Sequence, residues 1–204
     1  MKEIVIATRN IDKKNEIKKL LADCNIEVLS LSDFPDIPEI KENGSTFEEN
    51  AVAKALACAK KTKKLTLADD SGLEVPYLRG KPGVRSARFA GDRVSYGDNN
   101  EKLLRLLRNV PQNKRKARFV CCIALADTRG LIKVVRGTCS GKIAATIRGS
   151  YGFGYDPIFI PRGYSRTFAE LGEKVKNNIS HRWRALRKAK KTMAEYFEKY
   201  SLQK

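Results

Sequence analysis

Apolar residues recur along this chain at two spacings, and the way the spacings alternate predicts an α/β fold. Residues 3–7 are a short, nearly continuous apolar run, as expected of a strand buried on both faces. Ile17, Leu20, Leu21 and Cys24 then fall at i, i+3, i+4 and i+7 with lysines opposite, the signature of an amphipathic helix. A second strand is expected over residues 27–31, and Pro35, Pro38 and Gly44 mark residues 33–44 as a loop. Thr46 with Glu49 three residues later reads as a capping box opening a helix that buries Phe47, Ala51, Ala55 and Cys58. Residues 65–68 read as a strand that ends in Asp69-Asp70-Ser71-Gly72, and residues 80–98 as irregular surface chain. Leu103, Leu104, Leu106 and Leu107 mark a helix ending near Pro111.

In the second half of the chain, residues 119–126 and 131–139 form a hairpin through Asp127-Thr128-Arg129-Gly130. A glycine-rich loop at 149–157 and a short strand at 158–160 follow. The last helix spans about 182–200, with Leu186, Met193, Phe197 and Tyr200 on its inner side. The expectation is one domain, residues 1–204, on a mixed sheet flanked by helices, with no internal repeat.

Composition narrows this picture. The chain has 204 residues, 42% of them hydrophobic, enough for a full core. Its first residues are too short for a signal peptide, and no apolar stretch approaches the ~18 residues of a membrane span, so a soluble cytoplasmic protein with no membrane partner is expected. The five cysteines lack C-x-x-C spacing and read as buried thiols rather than as zinc or redox ligands. The net charge of +18, concentrated at residues 182–191 and at Lys114-Arg115-Lys116 with Arg118, raises a nucleic-acid hypothesis. Aromatic residues are not interleaved with those charges as a base-stacking groove requires, and a positive field also draws in nucleotides.

Four polar clusters carry candidate chemistry. Thr8-Arg9-Asn10-Ile11-Asp12-Lys13 lies where a strand gives way to a helix, so unpaired N–H groups, two side-chain donors and a lysine can meet phosphate; an ordinary N-cap at Asn10 or Asp12 is the alternative. Asp69 and Asp70, adjacent at the end of an apolar strand, need a cation or a proton unless they form an Asx-turn, and they point to opposite faces if the strand persists. One can then hold Mg²⁺ or take a proton from water. Phe153-Gly154-Tyr155-Asp156 sits in a glycine-rich loop where aromatics can stack on a base and Asp156 can accept from it, or where the aromatics pin the loop to the core. His181, the single histidine, stands between Ser180 and Arg182 at the start of the last helix, with Lys176 before it. Such donors can read a ring carbonyl and neutralise phosphate. Walker and dinucleotide glycine motifs are excluded: residues 137–142 are one residue short, and Gly149, Gly152 and Gly154 run in reverse order.

With these residues in place the chain resembles the inosine triphosphate pyrophosphatase family. The markers are Thr8-x-Asn10-x-x-Lys13-x-x-Glu16, Glu42-x-Gly44-x-Thr46-Phe47-x-x-Asn50-Ala51, Asp69-Asp70-Ser71-Gly72-Leu73, Pro82-Gly83-x-x-Ser86-Ala87-Arg88, Phe153-Gly154-Tyr155-Asp156-Pro157 and Ile179-Ser180-His181-Arg182. The resemblance implies an elongated two-lobed α/β fold with a cleft between the lobes, homodimers, and Mg²⁺-dependent cleavage of ITP, dITP and XTP to the monophosphate and pyrophosphate. By motif position it implies that Thr8, Arg9, Asn10, Ile11, Asp12, Lys13, Lys54 and Ser71 hold phosphate, and that Asp70 is the base that activates water. It further implies that Glu42 and Asp70 bind Mg²⁺ with Asp69 in support, and that Phe153, Gly154, Tyr155, Asp156, Lys176, His181 and Arg182 hold the base and phosphates. Arg9 stands where the family usually has glycine, Lys41 where many members have an acid (with Glu39 as an alternate ligand), and Val175 where glutamate is usual. The competing expectation is a basic nucleic-acid-binding protein with a vestigial nucleotide site; on the pyrophosphatase reading nucleic acid is not required.

Overall fold

The computed structural model describes residues 2–38 and 40–201. Six strands form one mixed sheet in the order β2-β1-β3-β4-β5-β6, with β1 at Glu3–Ile6, β2 at Glu27–Ser30, β3 at Thr66–Glu74, β4 at Lys116–Asp127, β5 at Gly130–Ile143 and β6 at Phe159–Pro161. β1 pairs in parallel with β2 (Ile4 opposite Val28) and with β3 (Ile6 opposite Leu67), whereas β5 and β6 run antiparallel (Lys142 opposite Ile160). Among the described residues the α-helices are α1 Ile11–Leu20, α2 Phe47–Thr62, α3 Tyr96–Leu106, α4 Phe168–Ile179 and α5 His181–Ser201. Among the described residues no helix is long and apolar enough to cross a membrane.

The chain divides into two compact units. The first comprises Met1–Asp70, Cys121–Gly137 and Arg182–Lys204; the second comprises Ser71–Val120 and Thr138–His181. In the first, Ile4 and Ile6 of β1, Leu67 of β3 and Ile123 and Leu125 of β4 pack with Ile17 of α1 and with Leu186 and Met193 of α5. This is the arrangement that the continuous run at 3–7 and the helical stripes predict. The inner-face reading of Tyr200 concerns a side chain outside the described residues. In the second unit, Leu73, Leu103, Leu107, Phe119, Ile143, Phe159 and Phe168 form the core. Arg115 is buried there. It donates through Nε to the Val110 carbonyl (2.9 Å), through one terminal nitrogen to Ala144 (3.0 Å) and through the other to Leu107 (2.8 Å).

Three elements differ from the sequence expectation. β3 does not end at Ala68: it runs through both aspartates to Glu74, because each carboxylate finds its own partners on its own face of the strand. α4, which the periodicity does not predict, opens with a full capping box between Thr167 and Glu170 and is interrupted at Gly172 (φ 76°), which breaks the apolar period. At α2 only half of the expected box forms. Thr46 accepts from the Glu49 N–H (3.1 Å), but the Glu49 carboxylate turns to the N–H and hydroxyl of Ser45.

Candidate functional site

The first unit holds a buried chain of four charges. β1 delivers the backbone to Thr8, whose hydroxyl accepts from the Asn10 N–H (3.2 Å), and Asn10 in turn caps α1 by accepting from the Lys13 N–H (3.0 Å). One helical turn therefore sets Lys13, and its ammonium lies 2.7 Å from Asp69 Oδ1. The other oxygen of Asp69 accepts from Arg182 Nε (3.2 Å) and from the Cys121 thiol (2.9 Å), and Arg182 reaches on to Glu16 Oε2 (2.6 Å). Asp69 is 0% exposed. Burial by itself would raise its carboxyl, but Arg182 and Lys13 hold it well below the usual carboxylate range. Lys13 is raised above its ordinary value: burial opposes its charge and Asp69 more than restores it. Burial and the neighbouring Asp69 push the Cys121 thiol well up, so it remains a donor. Asp69 is thus a clamp that orients two cations, not a free ligand.

Asp70 points to the opposite face of β3, as the pleat requires. Its Oδ2 accepts from Asn50 Nδ2 of α2 (3.0 Å), and Asn50 Oδ1 accepts from the Gly44 N–H (2.8 Å). This amide ties the segment carrying Glu42 to the aspartate. A side chain at Gly44 would close to 2.7 Å from that same Oδ1, which explains the glycine. Lys54, one turn after Asn50 on α2, places its ammonium 2.6 Å from Glu42 Oε1, 2.7 Å from the Asp69 carbonyl and 3.9 Å from Asp70 Oδ1. Burial pushes the Asp70 carboxyl up; Lys54 and Lys13 oppose the rise and Glu42 adds to it.

Two carboxylates, Glu42 and Asp70, therefore gather about one cationic nitrogen. That donor set fits Mg²⁺, which takes one or two carboxylates and completes its shell with water and substrate phosphate. No group of three or more His, Cys, Asp or Glu residues suited to a metal occurs among the described residues, and Glu39 lies outside them.

Other expected phosphate contacts differ in character. The Arg9 guanidinium is committed to the Ile37 carbonyl (2.5 Å), so the residue standing in place of glycine braces the 31–38 segment. Ile11 is 59% exposed and Asp12 lies in the first turn of α1. Ser71 follows on β3, half-buried.

The second unit gathers the residues of the glycine-rich loop. Asp156 is 1% exposed; its Oδ2 accepts the Phe153 N–H (2.9 Å) and the Lys176 ammonium (2.7 Å). That ammonium also lies 4.4 Å from the centre of the Phe153 ring. Gly152 (φ 86°) has no room for a side chain, which would overlap Asp156 Oδ2. Gly154 (φ 64°) presents its carbonyl to Asn100 Nδ2 (3.0 Å). Of the two alternatives for the loop aromatics, Tyr155 takes the pinning one. Tyr155 is buried, its hydroxyl donating to the Ser86 carbonyl (2.9 Å), and it pins the loop, leaving Phe153 as the ring still half-buried. His181 is buried and stacks on Phe119, with ring centres 4.5 Å apart and planes 8° from parallel.

The sequence motifs include Glu16 and Asn50 without giving them a role, and Cys121 reads there only as a buried thiol. Asn50 could have been found, because a polar residue interrupts the apolar stripe of α2. Cys121 could not, since a thiol in an apolar strand has the pattern of any core residue. The basic segments lose part of their nucleic-acid character: Arg115 is spent internally, Lys190 pairs with Asp23 (2.5 Å) and Lys188 donates to the Arg136 carbonyl (2.7 Å).

Comparison with known proteins shows the family of the chain. Residues 4–192 match the Ham1 family. A dITP/XTP pyrophosphatase of Desulforamulus reducens is 51% identical over 187 residues, covering 92% of this chain and 93% of the relative; one from Geobacillus kaustophilus is 51% identical over 188 residues, covering 92% of each. Among solved structures, the Staphylococcus aureus Ham1 protein superposes with a TM-score of 0.84 at 44% identity, over 96% of this chain and 100% of that one. A HAM1 protein from Coxiella burnetii gives 0.86 at 41%, with the same coverage.

Proposed function

We propose, on the premise that this chain belongs to the Ham1 family, that its residues divide the hydrolysis of dITP, ITP and XTP between a phosphate-side cluster and a base-side cluster. The protein is a nucleoside triphosphate pyrophosphatase: it cleaves non-canonical purine nucleoside triphosphates to the monophosphate and pyrophosphate. The observation that carries the division of labour is the Asp69–Asp70 pair in mid-strand. One carboxylate is neutralised by Lys13 and Arg182, while the other is raised by burial and oriented by an amide.

On this reading Thr8 to Lys13, Lys54, Ser71 and Arg182 take up the triphosphate, with Lys13 and Arg182 already aimed by Asp69. Asp70 is the general base. Water gives a proton to Asp70 as its oxygen bonds to phosphorus, the bridge between the α and β phosphates breaks, and pyrophosphate leaves with the electron pair. A carboxyl raised by burial is a better proton acceptor than an ordinary one, and the Asn50 amide fixes which oxygen faces the reaction. Glu42 and Asp70 would hold the divalent cation, Mg²⁺ by donor type, which would withdraw charge from the phosphates during cleavage.

Base reading belongs to the second cluster. Phe153 offers a ring face, the Gly154 and Tyr155 backbone lies alongside, and Asp156 with Lys176 fixes the loop. His181, held flat by Phe119, donates toward the 6-keto oxygen of hypoxanthine or xanthine. The adenine amino group is itself a donor and leaves such a site unpaired. The homodimer and the cytoplasmic location implied by the resemblance belong to the same proposal, and light scattering and cell fractionation test them.

The test is pyrophosphate release from ITP, XTP, GTP and ATP with and without Mg²⁺. ITP and XTP turn over fastest, and Asp70→Asn removes about 10²–10⁴-fold of the rate with the far-ultraviolet spectrum unchanged. Near-normal turnover by Asp70→Asn would take Asp70 out of the chemistry. An ITP-to-ATP preference unchanged in His181→Ala would take His181 out of base reading.

A further inference from the structure

The start of α3 is fixed against the base-side loop more firmly than a surface helix requires. Ser95 caps it in a complete box: its hydroxyl accepts from the Asp98 N–H (3.1 Å), and the Asp98 carboxylate accepts from the Ser95 N–H (2.7 Å). Asn99 holds the preceding segment, accepting from the Ala90 N–H (2.7 Å) and donating to the Ala87 carbonyl (3.1 Å). Asn100 donates to the Gly154 carbonyl (3.0 Å), while its own Oδ1 is buried with no hydrogen-bond partner among the described residues. Holding the loop is thus the one polar task of that amide.

Tyr96, the first residue of α3, lies one turn before Asn100. It is 38% exposed, yet its ring centre is 5.9 Å from that of Phe153, with the planes 43° apart. The two aromatics are in tilted contact, one on α3 and one on the base-side loop. The Lys176 ammonium, bonded to Asp156, sits over the Phe153 ring at 4.4 Å. A cation so placed occupies one face of that ring. The face of Phe153 that Lys176 covers is therefore not one on which a base can stack, and a single six-membered ring is smaller than a purine. Tyr96 supplies the adjoining aromatic surface.

We infer that Tyr96 is a specificity-determining residue: with Phe153 it makes an aromatic surface wide enough for a bicyclic purine, so that the purine gains a contact that a pyrimidine does not. The inference rests on the assignment of Phe153 to Asp156 as the base-side loop. The ring face is the active element, so phenylalanine at this position serves and leucine or alanine does not.

The experiment compares kcat/KM for ITP and UTP in wild type, Tyr96→Ala, Tyr96→Leu and Tyr96→Phe, each checked by its melting temperature. The expected result is a fall of roughly 5- to 150-fold for ITP in the Ala and Leu variants, the range for losing one aromatic stacking partner, carried mainly by KM. UTP hydrolysis stays unchanged, and the Phe variant restores the ITP value. A second readout uses Tyr96→Trp in a Trp183→Phe background: inosine monophosphate quenches the emission and uridine monophosphate does so far less. An ITP-to-UTP ratio unchanged in both the Ala and Leu variants, or emission indifferent to inosine monophosphate, overturns the inference and leaves Tyr96 as a helix-end residue. A wild-type enzyme with no preference for ITP over ATP would instead overturn the base-side assignment itself, whatever the Tyr96 variants do.

Discussion

Replacing Asp69 by asparagine removes one charge from a buried quartet and keeps its shape. Glu16 and Asp69 carry two negative charges, Lys13 and Arg182 two positive ones, linked at 2.6 Å, 3.2 Å and 2.7 Å. Each contact at such a distance corresponds to roughly 5–6 kcal/mol of Coulomb attraction at an effective dielectric near 20, most of it offset by desolvation. In Asp69→Asn the quartet is left with a net positive charge, and an amide donor faces the Lys13 ammonium or the Arg182 guanidinium. Breaking a buried pair in this way costs about 3–5 kcal/mol, which is roughly 6–20 °C in melting temperature for a chain of this size. Thermal unfolding in low-salt buffer at pH 7 measures the loss. Adding pyrophosphate narrows the gap, because an anion near Lys13 replaces the missing charge. The double variant Lys13→Met/Asp69→Asn is less destabilised than the sum of the two single variants, since the stranded ammonium is gone. A melting temperature for Asp69→Asn within about 2 °C of wild type, or strict additivity in the double variant, would refute the view of Asp69 as a clamp for two cations.

Gly152→Ala places a methyl group on Asp156 Oδ2 at a backbone φ of 86°; it destabilises by at least about 1–2 kcal/mol in denaturant titration and raises KM for ITP more than it lowers kcat. Gly141→Ala forces its Cβ to 2.6 Å from the Phe159 ring and onto the Ile160 carbonyl, so β6 separates from β5 at a cost of about 1–3 kcal/mol, visible as early hydrogen exchange at residues 159–161. Asp127 is a pH probe. Burial tends to raise its carboxyl, but the Arg129 side chain and N–H and the Tyr196 hydroxyl hold it below its ordinary value. A depressed folded value means that the stabilisation is complete above the unfolded carboxylate value of about 3.9 and fades as pH falls through the folded one. Asp127→Asn is therefore less stable than wild type at pH 7, and the difference shrinks below about pH 4; a difference that grows on acidification refutes the assignment.

The elements that position these groups were largely legible in the sequence because each rests on a local signal. The run at 3–7 suits a strand buried on both faces, and the stripes of α1, α2 and α5 repeat at helical spacing. α4 was hidden because Gly172 breaks the period and its capping box at Thr167 stands alone. The end of β3 was misplaced for a different reason. Consecutive aspartates look like a turn unless their partners are known, and those partners lie far along the chain at Lys13, Asn50, Cys121 and Arg182. Long-range pairing of this kind leaves no trace in local composition. Tyr155 shows the opposite limit: in a glycine-rich loop the sequence leaves an aromatic open between stacking and pinning, and only the Ser86 carbonyl reveals what the hydroxyl seeks.

Because Asp69 and Asp70 stand on one uninterrupted strand, their division of labour is a matter of parity. Inserting or deleting a single residue between Thr66 and Asp69 would exchange the two carboxylates, turning the amide-bound acid inward to the arginine and the clamp outward to the amide. Length variation among relatives should therefore be tolerated in the turn at Thr128, and be absent, or come only in steps of two, along β3.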